Sequence, residues 1–143
     1  MQTFLPFSDF TKSAQVLDRQ RLCKQRVETK QIYLAISDPS YGWQNHPAVN
    51  QWRGYLNALA MYGHAICGEW KRRGYKDTLD EWFLDRYSNP FSQVSGNPAW
   101  LGKEEFHKSH RQTLLFKNFE FYSKFGWAET PKYEYYWPTK NGF

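Results

Sequence analysis

Three kinds of group in this chain could do chemistry: the α-amine at its head, one glutamate set among cations, and four histidines. The chain opens "MQTFLPF", and the bulky Gln2 disfavours removal of the initiator, so the mature protein is expected to begin at Met1 with a free amine. An α-amine titrates near about 7.7 to 8.0, against about 10.4 for lysine, so a useful fraction is neutral and nucleophilic at pH 7. Further on, "DRQRLCKQRVETK" sets Arg19, Arg21, Lys24, Arg26 and Lys30 against only Asp18 and Glu28. Such density is a candidate phosphate-binding strip. Helical spacing places Arg19, Arg26 and Lys30 on one side and Arg21, Lys24 and Glu28 on another, so Glu28 sits in a cationic field. A surface ion pair with Lys24, worth about 0.2–0.5 kcal/mol, would account for it by spacing alone. Yet a carboxylate repels a docking phosphate, and stabilising a cationic transition state is a reason to keep one there.

The histidines divide by neighbourhood. His46 lies in "NHP", and His107 and His110 lie in "HKSHR" beside Arg111. Read as lying at or near helix starts, they are candidates for contacts to phosphate, sugar or base, with satisfied packing as the other reading. His107 and His110 are three apart, but no carboxylate accompanies them at zinc-site spacing, so no metal is expected. No nucleophile elbow, glycine-rich phosphate loop or paired-carboxylate motif occurs, and no cofactor is expected.

The elements that must position these groups are helices. Seven prolines leave two long proline-free intervals. In the first, Ser8 is a candidate cap for a helix to Leu17 and Asp18 for a second over residues 18–37, either separate or continuous. In the second, Val49, Trp52, Leu56, Leu59, Gly63, Ile66 and Trp70 recur at spacings of three and four, the pattern of one helix face, closed by "KRRG" with Gly74 as a left-handed cap. Thr78 to Tyr87 reads as a shorter helix, "SNPFSQVSGNPAWLG" as a loop and "KEEFHKSHRQTLLFKN" as a further helix. Nothing alternates with period two, so the class is all-α: one domain over residues 1–143 with an aromatic-rich C-terminal tail. That tail, from Phe116 to Phe143, carries eleven aromatics, which either wrap the core or present a surface that stacks on bases.

Composition narrows the partners. Aromatics are 20% of the chain and mean hydropathy is −0.82, so the core is expected to rest on few large side chains such as Trp52, Trp70, Trp82 and Phe106. Nineteen Lys and Arg against fourteen Asp and Glu give +5, which suits an anionic partner. Cys23 and Cys67 have no partner at motif spacing and read as buried packing residues in a reducing cytoplasm. No apolar run reaches the ~20 residues of a membrane span and no leader is evident, so no membrane association is expected.

Taken in order, "MQTFL", "DRQRLCKQRVE", "NHPAVNQWRGY", "CGEWKRRGY", "HKSHR" and "YEYYWP" resemble the pyrimidine-dimer DNA glycosylases of the bacteriophage endonuclease V type. The resemblance implies a small all-α repair enzyme acting on double-stranded DNA with damaged pyrimidines in a bacterial or phage-infected cell, and a monomer is expected by default. It implies that the amine of Met1 is the nucleophile and Glu28 its partner, giving base excision and strand scission at the abasic site through a Schiff base. It assigns DNA contacts to Arg21, Arg26 and Lys30, and adds Lys24, His46, His107, His110 and Arg111 along the same groove. Gln2 stands where the best-known member has a basic residue, so one phosphate contact is missing or comes from elsewhere. That member exposes a threonine after losing its methionine, whereas Met1 takes the place here. Another damaged or modified base, a non-catalytic DNA-binding module, and an RNA-binding protein are the competing readings.

Overall fold

A computed structural model describes residues 1–87 and 96–141, and among these there are helices and no strand. In chain order they are α1 (Phe10–Val16), α2 (Arg19–Ser37), α3 (Pro47–Asn50), α4 (Leu56–Arg72), α5 (Asp80–Tyr87), α6 (Glu104–Lys117), α7 (Phe119–Tyr122), a 3-10 turn (Ser123–Phe125) and α8 (Pro138–Asn141). The expected loop "SNPFSQVSGNPAWLG" falls largely outside the described residues.

Capping decides where the first helices begin. The carboxylate of Asp9, rather than the Ser8 hydroxyl, accepts the Lys12 N–H at 2.8 Å, and its charge also complements the helix dipole. Leu17 and Asp18 are extended, so α1 and α2 are separate, with Asp18 capping the second. Arg73, just past α4, donates to the carbonyls of Ala14, Gln15 and Leu17 and so covers the open end of α1.

The apolar register from Val49 to Trp70 is one buried face but not one helix. Gly54 turns at φ +87°, which glycine tolerates, and splits the run into α3, a turn carrying Trp52, and α4. Downstream, the Asp77 carboxylate accepts the N–H groups of Leu79 and Asp80, so α5 starts at Asp80 instead of Thr78. Gly63 lets α5 approach α4: a Cβ there would lie 2.5 Å from the Phe83 ring.

Large aromatics anchor the core, but Leu5, Leu17, Leu22, Ile32, Leu59, Ile66 and Leu114 are fully buried with them. Trp52 packs edge-on against Trp100 at 4.9 Å, beside buried Tyr62 and Phe106. Trp82, expected inside, is half-buried, with Arg86 3.9 Å and Lys30 5.0 Å from its ring centroid. Cys67 is buried, whereas Cys23 is half-buried beside Arg26. The first part of the tail follows the reading in which it wraps the core. Tyr122, Phe125 and Trp127 stack together on the helices, and the Tyr122 hydroxyl is hydrogen-bonded to Asp18. Tyr133, Tyr135 and Trp137 follow in an irregular stretch that α6 holds through Gln112, Thr113 and Ser109. Among the described residues no helix is long and apolar enough to cross a membrane.

Candidate active site

The first nine residues lie in no helix or strand, with a bend from residue 6, so their backbone groups need other partners. Side chains from three helices supply them. Gln25 of α2 donates its Nε2–H to the Gln2 carbonyl and accepts the Phe4 N–H on Oε1 at 2.8 Å. Tyr62 of α4 donates to the Phe4 carbonyl at 2.7 Å, and burial followed by the Glu28 charge holds its phenol protonated well above the usual range. The Trp52 indole N–H meets the Thr3 hydroxyl at 2.9 Å.

From α6 come two histidines in opposite tautomers. Gly102 N–H donates to His107 Nε2 at 2.9 Å, so the proton sits on Nδ1, which donates to the Leu5 carbonyl at 2.8 Å. Leu5 N–H in turn donates to His110 Nδ1 at 2.8 Å, leaving the His110 proton on Nε2. The pair thus grips both sides of one residue. Burial, reinforced by His107 and Arg111, lowers the His110 pKa to about 3, and burial lowers that of His107. Arg111 donates to the Pro6 carbonyl at 2.7 Å while its guanidinium pairs with Glu104 and Glu129.

These bonds deliver the chain terminus to Glu28. The Gln2 N–H donates to Glu28 Oε2 at 3.2 Å, and Met1 and Glu28 both line a cleft of about 520 Å³. Arg21, Lys24 and Lys117 make one side of that cleft cationic. Phe4, His46, Tyr133, Tyr135 and Trp137 give it aromatic walls. His46 also caps α3, accepting the Ala48 N–H on Nδ1 at 3.0 Å.

The structure therefore brings together Met1, Gln2, Arg21, Lys24, Glu28 and His46. No Lys24–Glu28 ion pair forms among the described residues; Arg21 pairs with Asp18 at 3.2 Å. Gln2, only 3% exposed, turns its Oε1 onto the Thr3 N–H. Arg26 and Lys30 lie away from the cleft: Arg26 pairs with Asp77 at 2.8 Å beneath Trp70, and Lys30 covers Trp82. "HKSHR" begins at the fourth residue of α6, near its start, but His107 and His110 are buried behind the N-terminal segment.

Gln25, Tyr62 and Lys117 were not legible as site residues. Gln25 carried a signal, because it falls on the stripe that Arg21 and Glu28 define; Tyr62 and Lys117 come from distant helices and carried none.

Helices packed around a basic cleft with planar walls define a protein that handles a polyanion with stacking parts, which is a nucleic acid. The chain belongs to the pyrimidine dimer DNA glycosylase family, whose model matches residues 1–82. That family acts on DNA as a repair glycosylase. None of the curated proteins and none of the solved structures compared with the chain matched it.

Proposed function

We propose that this chain excises cyclobutane pyrimidine dimers through a Schiff base to the Met1 amine and then nicks the strand as an abasic-site lyase. The observation that carries the reading is Glu28: its carboxylate holds the Gln2 N–H, one residue from the amine, at the wall of a cationic cleft. In the reaction the amine lone pair forms a bond to C1′, and the glycosidic electron pair leaves with the base, which takes up a proton. Opening of the sugar then breaks C1′–O4′ and leaves a protonated imine on C1′, with the O4′ oxygen protonated. Loss of a proton from C2′ expels the 3′ phosphate. Glu28 opposes the positive charge that develops on the sugar and persists on the imine. Arg21 and Lys24 meet phosphates beside it, which offsets the repulsion that the carboxylate exerts on DNA. His107, His110 and Arg111 act at one remove, by fixing the segment that carries the amine.

Borohydride trapping on a thymine-dimer duplex tests the reading, using tag-free protein whose N-terminus is defined by intact mass. A covalent adduct on Met1, absent from an N-terminally extended control and from Glu28→Gln, is expected. Adduct on an abasic duplex alone would keep the lyase and reassign the base. Tight binding with no adduct on either duplex would refute the amine mechanism in favour of a binding module.

A further inference from the structure

Trp43 has a backbone and an environment that packing does not explain. It is the only non-glycine with positive φ among the described residues, at +68°, a conformation that bulky side chains rarely adopt. Gly42, immediately before it, would bear that conformation without strain, yet the left-handed turn falls on the tryptophan. The result holds a large apolar ring 57% exposed. The turn lets the Trp43 carbonyl accept the His46 N–H at 3.0 Å but leaves more than half of the ring in solvent.

What the ring does gain is continuity with the cleft. Trp43 meets His46 edge-on at 5.9 Å, His46 meets Trp137 at 6.2 Å, Trp137 meets Tyr135 at 5.4 Å and Tyr135 meets Tyr133 at 5.7 Å. Every ring in that series except Trp43 lines the cleft that holds Met1 and Glu28. Trp43 is thus the outer end of an aromatic strip leading inward, and the cleft it reaches is flanked by Arg21, Lys24 and Lys117. Ring faces beside cations suit a nucleic acid strand, whose bases stack on aromatic side chains while its phosphates need positive charge.

We propose that Trp43 is a wedge: its indole enters the base stack of the duplex beside the lesion and holds open the gap through which the nucleotide reaches the cleft. The loop that carries it, residues 38–46, is pinned at its base. Gln44 donates to the carbonyls of Ala35, Asp38 and Tyr41, and Arg53 donates back to the Gln44 carbonyl at 2.7 Å. A wedge must be rigid, because a mobile ring would retreat from the stack instead of parting it. The inference rests on DNA being the substrate and not on the amine mechanism.

The experiment uses an uncleavable duplex with a tetrahydrofuran abasic site and a 2-aminopurine reporter in the neighbouring step, so that no chemistry is involved. On wild-type binding, reporter emission is expected to rise as its stack opens. Trp43→Ala should lose that rise and bind the site about 10- to 100-fold more weakly, with little change on undamaged duplex, whereas Trp43→Phe should keep most of both. Trp43→Gly should lose the emission change while melting at or above the wild-type temperature, because glycine accepts the left-handed turn. Reporter emission and affinity unchanged in Trp43→Ala, or a clearly lower melting temperature in Trp43→Gly, would overturn the wedge. A change of self-association in Trp43→Ala with DNA binding intact would assign the ring to a protein contact. Loss of borohydride trapping with the emission rise preserved would instead fault only the amine mechanism.

Discussion

Protonating His110 should release the N-terminal segment, and the structure fixes both the sign and the size of the effect. In the native state the ring is wholly buried between Phe4, Phe106 and Tyr135, and its Nδ1 accepts the Leu5 N–H. A second proton would set N–H against N–H and put a charge where Arg111 already disfavours one. The groups around it are His107 and Arg111 on its own helix and the Tyr135 phenol across from it, so no carboxylate is in contact to rescue the charge. The folded pKa, about 3, lies below the usual value of 6.5. Between the two the unfolded chain binds the extra proton, so the stability is complete above pH 6.5 and is lost as pH falls toward 3. At pH 5 the loss from His110 alone is about 2 kcal/mol, and any folded pKa well under 5 gives the same figure. His107, shifted in the same direction, adds to it. Glu69 and Asp77, whose pKa values are lowered below 4.5 and 3.8, contribute only at lower pH, so the window from 7 to 5 isolates the histidines. Urea unfolding at half-unit intervals across that window should show the fall with a constant m-value. His110→Gln, whose amide oxygen can accept the Leu5 N–H without titrating, should remove about 2 kcal/mol of that pH dependence. Equal slopes in the two proteins, or an NMR titration of His110 near pH 6.5, would refute the reasoning.

Other consequences follow from the same geometry. Gly63→Ala should destabilise by about 1–3 kcal/mol, read by urea unfolding, because the new methyl meets the Phe83 ring. Lys24→Ala should reduce the slope of log affinity against log salt by about one, whereas Arg26→Ala should leave that slope alone and cost about 3 kcal/mol of stability by stranding Asp77, 1% exposed at its side chain. Gln25→Leu removes both partners of the Gln2 carbonyl and Phe4 N–H; a stability loss of about 2–4 kcal/mol by urea unfolding is expected, with turnover falling further than the unfolded fraction explains.

Local and compositional signals were enough for the class of this chain and for part of its site. Period-3.6 apolar spacing with no period-two run implies helices, because side-chain direction along a chain is a local property. The charged stripe Arg21, Lys24 and Glu28 was readable for the same reason, since one helix places all three. Helix boundaries were less legible. Asp9 competed with Ser8, and Gly54 interrupted a face whose spacing ran on unbroken. What only the tertiary structure decided is which charged or polar residues face the cleft and which serve the scaffold. Helical spacing set Arg26 and Lys24 on different sides of α2 without saying which side meets the cleft; Asp77, fifty-one positions away, takes the first and leaves the second at the cleft. His107 and His110 read either as contacts to phosphate, sugar or base or as satisfied packing residues, and only the fold sets them on the backbone of Leu5. A segment outside any helix or strand must find its hydrogen bonds in side chains from elsewhere, and no local pattern records which helices will supply them.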